Sequence, residues 1–320
     1  MTDKFENWWR AYALSPRQLA IAFAWLVAAL GWGSAWYLNR VTFSSGGFTN
    51  YAAAAIRFDI AAFIALLACV ATGRTRSFNK RMFWLNCLAA VPMSIFYLGI
   101  YMATTHILGG LAATINSLSG VVMICLSVLL GMEKVPKSAW LGALLSVFGT
   151  GVIFLNKASF SSPHGIAAQG TAVLVMAGAA ASYAVSTVIL RQRKSDDPFA
   201  ATSTLLAAEG ILLTLMAEWI QPGEVIPPID QLQFQPVAAL LTQVVFSTLG
   251  AFGAYVYLST RVTMPTMASL PFATPLVAIT IDRIYEKPEL WVVNYTWTTF
   301  AGAALILTGL VPVVWKKKTA

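Results

Sequence analysis

Apolar residues along this chain are gathered into ten long runs, separated by short polar segments: 19–38, 51–71, 82–101, 111–131, 139–155, 170–190, 200–220, 237–258, 266–284 and 292–314. A helix that crosses a bilayer needs about 20 consecutive, mostly apolar residues. The pattern predicts an all-α integral membrane protein of ten transmembrane helices. Two of the runs carry polar or small residues at helical spacing. Gly109, Ala112, Asn116, Ser119 and Met123 form one stripe, and Thr266, Ser269, Ala273, Val277 and Thr280 form the other. A polar stripe within a span is costly unless it faces protein or water, so the two stripes are expected to wall one interior cavity. The plainer alternative is that small residues simply let the helices approach closely.

The same two runs belong to an internal repeat. Gly109–Lys134 and Met264–Lys287 both pass from a small, hydroxylated start through an apolar stretch to a Glu-Lys pair, Glu133-Lys134 and Glu286-Lys287. Trp32 aligns with Tyr183, Arg40 with Arg191, Tyr101 with Tyr257, and the glycine pair Gly142 and Gly149 with Gly302 and Gly309. Each half then holds five spans, over 18–157 and 168–315. Because five is odd, the second half is expected to enter the membrane inverted, an architecture that puts substrate sites at the midplane between repeats.

Charge adds orientation. Lys and Arg fall at the leader, at alternate loops and at the tail sixteen times, against four on the opposite side (Arg40, Lys157, Arg283 and Lys287). This positive-inside bias puts both termini in the cytoplasm. Residues 1–17 form a leader in which Phe5, Trp8, Trp9 and Tyr12 oppose Lys4 and Arg10, expected as an amphipathic interfacial helix. Residues 316–320 are a basic tail. With 58% hydrophobic and 11% charged residues the net charge of +8 reflects topology, not nucleic-acid binding. Cys69, Cys87 and Cys125 lie within spans without CxxC spacing and read as buried apolar residues. His106 and His164 have no second ligand nearby, so no metal is expected, and no phosphate loop or hydrolytic motif implies a cofactor.

The first-span GWGSAW (Gly31–Trp36), the second-span Ile56-Arg57-Phe58, the fourth-span LLGMEK (Leu129–Lys134), the ninth-span run Ala273–Pro288 and the fifth-span glycines together resemble the EamA-like permeases of the drug/metabolite transporter superfamily. The resemblance covers about residues 19–315. It implies two inverted five-helix repeats, inward- and outward-facing states, and a cavity walled mainly by the first, third, fourth, sixth, eighth and ninth spans. It also implies export of small metabolites, with the inner membrane of a bacterium as the location. Family members often carry a proline in both the fourth and ninth spans; here the fourth has Ser119 or a neighbour where the ninth has Pro275.

Away from the ends of the runs, the charged residues inside spans are few: Arg57, Asp59 and Glu209. Each costs about 2.5–3.5 kcal/mol at a helix centre, so their retention points to a role. Arg57 and Asp59 are two apart and must face different ways. Arg57 is a candidate receiver of a substrate carboxylate, while Asp59 and Glu209 are candidates for a substrate ammonium or a coupling proton. The structural alternative is an interhelical ion pair, such as Arg57 with Glu209. Trp32, Trp36, Tyr97, Tyr101, Tyr183, Tyr255 and Phe272 are candidate aromatic walls, with Asn116 and Ser119 as polar contacts. Core packing would equally place those aromatics. Pro92, Pro265, Pro271 and Pro275 are expected to bend the third and ninth spans, for gating or as static kinks.

The best-supported reading is therefore a secondary transporter exporting a small amphipathic metabolite, an amino acid or related zwitterion. Its partners would be that solute, the bilayer and a coupling proton, with no obligate protein partner. A sugar-phosphate or nucleotide-sugar antiporter would want more midplane cations than one. A membrane enzyme or assembly subunit would want a catalytic constellation or a large soluble appendage.

Overall fold

In the computed structural model, residues 15–43, 47–106, 109–153, 166–193, 197–228, 230, 232–285 and 297–314 are described. The expected leader helix, His164, Glu286-Lys287, Trp291, Tyr295, Trp315 and the basic tail lie outside them. Every regular element among the described residues is helical. The long helices are α1 (Pro16–Thr42), α2 (Asn50–Ala71), α3 (Lys80–Ala103), α4 (Gly109–Leu129), α5 (Lys137–Ile153), α6 (Ile166–Arg191), α7 (Pro198–Ile220), α8 (Phe234–Ser259), α9 (Met264–Tyr285) and α10 (Trp297–Val314). Of these, α1, α2, α3, α7, α8 and the Gly170–Arg191 part of α6 are long and apolar enough to cross a membrane by length and composition.

Polar residues at the run boundaries start the helices. Ser15 and Gln18 form a reciprocal capping box ahead of Pro16, Thr49 caps α2, Asn79 caps α3, and Asp197 accepts from the backbone amides of Phe199 and Ala200 at the start of α7. Each satisfies amide donors that a first turn leaves open.

Many small residues lie inside the bundle and many large apolar ones outside, apart from a buried aromatic group that includes Phe58, Tyr97, Phe252 and Phe272. On α2, Ala52 to Ala55 are buried while Phe63 is 64% exposed; on α7, Trp219 is 83% exposed. A protein surrounded by hydrocarbon has no reason to hide large apolar side chains, whereas close packing rewards small residues. The packing follows a pattern: α2 against α7, α4 against α9 and α5 against α10, with α1 on α8 and α9, and α3 on α6. Where α5 meets α10, a Cβ at Gly149 would come 2.7 Å from the Gly302 carbonyl, and one at Gly309 would collide with Gly142 and Ser146.

Pro92, Pro271 and Pro275 all lie within continuous helices. The departure from α-geometry is in α8 instead, where Gln243–Gly250 form a π-helical stretch without any proline. Such segments carry one residue more per turn and are often found at functional sites. His106 does not open α4 but lies in the turn before it, its Nδ1 2.6 Å from the Thr105 hydroxyl.

Candidate functional site

Gly31 and Gly33 explain how the first-span motif builds the site. A Cβ at Gly31 would come 2.7 Å from the Phe246 carbonyl of α8, and one at Gly33 would collide with Val277 of α9. With no side chain at either position, α1 presses into the gap between those helices. Trp32, between the glycines, then points to the interior, and Trp36 and Asn39 follow at i+4 and i+7 on the same face.

These residues enclose a cavity of about 40 Å³ together with Ala35, Arg57 of α2, Phe96, Tyr97 and Ile100 of α3, Asn116 of α4, Tyr183 of α6, and Pro271 and Thr274 of α9. That is room for roughly three waters, at about 15 Å³ of probe-occupied volume each. An aromatic layer lies against it. The Trp32 ring lies 5.0 Å from that of Tyr255, 5.7 Å from Phe252 and 5.9 Å from Tyr183, and Tyr183 stacks on Phe96 at 4.9 Å.

Arg57 is 1% exposed. Its Nε donates to Thr248 Oγ1 (2.6 Å), and its Nη1 donates to Gln243 Oε1 (2.7 Å) and Tyr101 Oη (3.2 Å). Gln243 in turn donates to Thr42 Oγ1 at 2.8 Å. Both Gln243 and Thr248 come from the π-helical stretch, so the irregular turn is what grips the guanidinium.

Five polar atoms on the cavity residues are buried without a hydrogen-bond partner: Trp32 Nε1, Asn39 Oδ1, Arg57 Nη2, Asn116 Oδ1 and Tyr183 Oη. The Tyr183 hydroxyl lies beside the 2.6 Å Thr187–Tyr255 hydrogen bond without joining it in good geometry. A buried polar group left unmade costs about 1–3 kcal/mol. Five on one small cavity are a concentration that packing alone does not explain.

Six of the twelve candidate residues thus meet at one cavity: Trp32, Trp36, Arg57, Tyr97, Asn116 and Tyr183. Tyr101 and Tyr255 stand behind the wall, the first holding Arg57 and the second bonded to Thr187. Ser119 turns its hydroxyl back to the Asn116 carbonyl of its own helix (2.6 Å). Phe272 packs at Gly120, where α4 and α9 touch. The α9 stripe does not wall the cavity as expected. Ser269 accepts a bond from Trp25 Nε1 (2.8 Å), Val277 packs at Gly33, Thr280 is exposed, and the cavity takes the neighbouring face through Pro271 and Thr274.

Glu209 is fully buried, and neither carboxylate oxygen has a hydrogen-bond partner. The opposite charge acting on it is Arg57, yet no hydrogen bond joins the two. Asp59 faces outward, exposed, where its Oδ2 accepts from Thr214 Oγ1 at 2.6 Å. Asn39, Gln243, Thr248 and Thr274 complete the site without having been singled out in sequence. Asn39 continues the Trp32–Trp36 face, and Gln243 interrupts an apolar span, signals that a search for ionisable residues passes over.

At the end of the bundle where α4, α6 and α8 finish and α9 begins, called the inner end below, Arg191 forms an ion pair with Glu133. Glu133 also accepts from the Met264 amide (2.9 Å), and Arg191 donates to the carbonyls of Ser259 (3.2 Å) and Val262. These bonds join four helix ends.

Residues 19–155 match the model of the EamA-like transporter family. Over 271 residues, 81% of either chain, the sequence is 24% identical to an uncharacterized transporter of Synechocystis sp.. A second uncharacterized transporter, from Archaeoglobus fulgidus, is 23% identical over 304 residues, 92% of this chain and 99% of that one. A solved crystal structure shares the fold, with a TM-score of 0.71 over 92% of this chain and 96% of that chain at 16% identity.

Proposed function

From the match of residues 19–155 to the EamA-like transporter family and from the two transporter relatives, we propose that this chain is an EamA-like membrane transporter, that its aromatic cavity is the substrate site and that the substrate is an amino acid or related zwitterion. The observation that carries this reading is the set of five unpartnered polar atoms. Trp32 Nε1, Arg57 Nη2 and the Tyr183 hydroxyl can donate to a carboxylate. The amide oxygens of Asn39 and Asn116 can accept from an ammonium. The rings of Trp36, Phe96 and Tyr97 take an apolar side chain. A sugar phosphate would need more than the single guanidinium on this wall.

A cavity of about 40 Å³ must widen to admit such a solute, which calls for alternating access. The helix pairing supports the inverted-repeat reading, because exchanging each helix with the one five later maps the main contacts onto one another: α2–α7, α4–α9 and α5–α10 onto themselves, α1–α8 onto α6–α3 and α1–α9 onto α6–α4. The aligned glycines touch reciprocally, Gly149 at Gly302 and Gly309 at Gly142. With the basic loops in the cytoplasm, the Glu133–Arg191 cluster is an inner gate, here shut, and export requires it to open and re-form. Of the two candidate carboxyls, Glu209 is the one whose position suits a coupling proton, since Arg57 reaches both its field and the cavity.

Thermal unfolding of the purified protein against amino acids, amines, sugar phosphates and nucleotides tests this. A ligand at 100 times its Kd stabilises by about 2.7 kcal/mol. Stabilisation by amino acids supports the reading; stabilisation by phosphates alone contradicts it.

A further inference from the structure

Two grooves open sideways between helices, and they differ in charge. One, of about 890 Å³, runs between α1, α8 and α9 toward the outer end, and none of its lining residues is charged. The other, of about 700 Å³, lies between α1, α2, α7 and α8 and reaches the inner end, where it is lined by Arg74 and Arg261. Its body is apolar, floored by Gly250 and Gly253, and a Cβ at Gly253 would meet nothing within 4 Å.

Depth matches one leaflet. From Gly250 to the end of α8 at Ser259 is nine residues, about 14 Å of helix, close to half of a hydrocarbon core about 30 Å thick, and Arg261 follows two residues later. Both guanidiniums are held at the mouth by neighbouring rings, Arg74 4.7 Å from the Phe199 centroid and Arg261 4.1 Å from that of Tyr257. Arg74 pairs with Asp197 at 2.9 Å. Arg261 donates only to oxygens of its own chain, Tyr257 O (3.0 Å) and Thr260 Oγ1 (3.4 Å), and pairs with no carboxylate among the described residues. Among the described residues, one cationic charge therefore remains without a carboxylate at the mouth of a leaflet-deep apolar slot.

We propose that this inner groove is a binding site for an anionic phospholipid, with an acyl chain along Gly250 and Gly253 and the headgroup phosphate at Arg261 and Arg74. Lipid is the occupant that a laterally open slot meets in a bilayer, and the cationic mouth selects the anionic kind. The outer groove, lacking a basic residue, shows no such selection.

Native mass spectrometry of the full-length protein, titrated with phosphatidylglycerol or phosphatidylcholine in detergent, tests this. Phosphatidylglycerol is expected to bind more tightly, and the Arg74→Gln/Arg261→Gln variant to lose about thirtyfold of that affinity, from two basic contacts, with phosphatidylcholine unchanged. Gly253→Leu fills the slot without touching either arginine, and is expected to weaken both lipids while the protein keeps its melting temperature. Equal binding of the two lipids, retention of phosphatidylglycerol by the double variant, or competition by inorganic phosphate as effective as by the lipid would each overturn the proposal.

Discussion

The inner end and the cavity each bring charged and polar groups from several helices together, and they differ in whether those groups are satisfied. At the inner end, Glu133 and Arg191 are engaged with each other and with backbone atoms of the α8–α9 connection. In the cavity, Arg57 is held on one side and left open on the other, with four further unpartnered atoms around it and Glu209 bare behind it. A satisfied cluster fixes a structure, whereas an unsatisfied one stores about 1–3 kcal/mol per group that a ligand can release. We propose that this difference separates a gate from a binding site.

Substitutions can break that comparison, and Arg57 is expected to give the largest effect. Arg57→Gln should weaken substrate binding at least tenfold and destabilise by about 3–5 kcal/mol, because it leaves Glu209 as a buried charge without its opposite. Adding Glu209→Gln should restore much of the melting temperature but no transport. Recovery of both would make the arginine structural only. Next in size is Trp32→Phe, which keeps the ring packing and deletes one unpartnered donor. Affinity should fall about 5- to 30-fold with the melting temperature nearly unchanged, measured by titration calorimetry and thermal unfolding.

At the inner end the ordering should reverse, stability before affinity. Glu133→Gln is expected to cost about 1–2 kcal/mol and to raise the labelling of cysteines placed beneath the aromatic layer, while substrate Kd stays within a few-fold. Glu209→Gln alone should remove the pH dependence of transport in proteoliposomes with little loss of folding; an unchanged pH profile would take the proton role from it. The smallest effect belongs to Asp59→Asn. This carboxyl faces outward against Thr214, so transport and its pH profile should not move, and stability should change by less than about 1 kcal/mol.

Much of this was legible in the chain. Apolar runs fixed all ten helices to within a few residues, except that α10 is described only from Trp297, because a bilayer makes length and apolarity decisive. The two-residue spacing of Arg57 and Asp59 correctly separated an inward from an outward side chain. The π-helical stretch could not be read, since Gln243–Gly250 contains no proline and its geometry comes from the neighbours it grips. The α9 stripe misled because small residues there serve contact with α1, and spacing alone does not distinguish a packed face from a wet one. Asn39 and Gln243 were overlooked because neutral amides look cheap in a span, although Gln243 holds Arg57 and Thr42 and Asn39 lines the cavity.

The central claim is that the cavity reads both charges of a zwitterion, and binding of three related compounds tests it most directly. Kd would be measured on the purified protein for the amino acid that stabilises it best, for its N-acetyl derivative and for its methyl ester. Loss of either charge is expected to weaken binding at least tenfold, with Arg57→Gln removing the difference between acid and ester. Equal affinity for all three compounds would contradict the account and leave the unpartnered atoms of Arg57, Asn39 and Asn116 without a ligand to explain them.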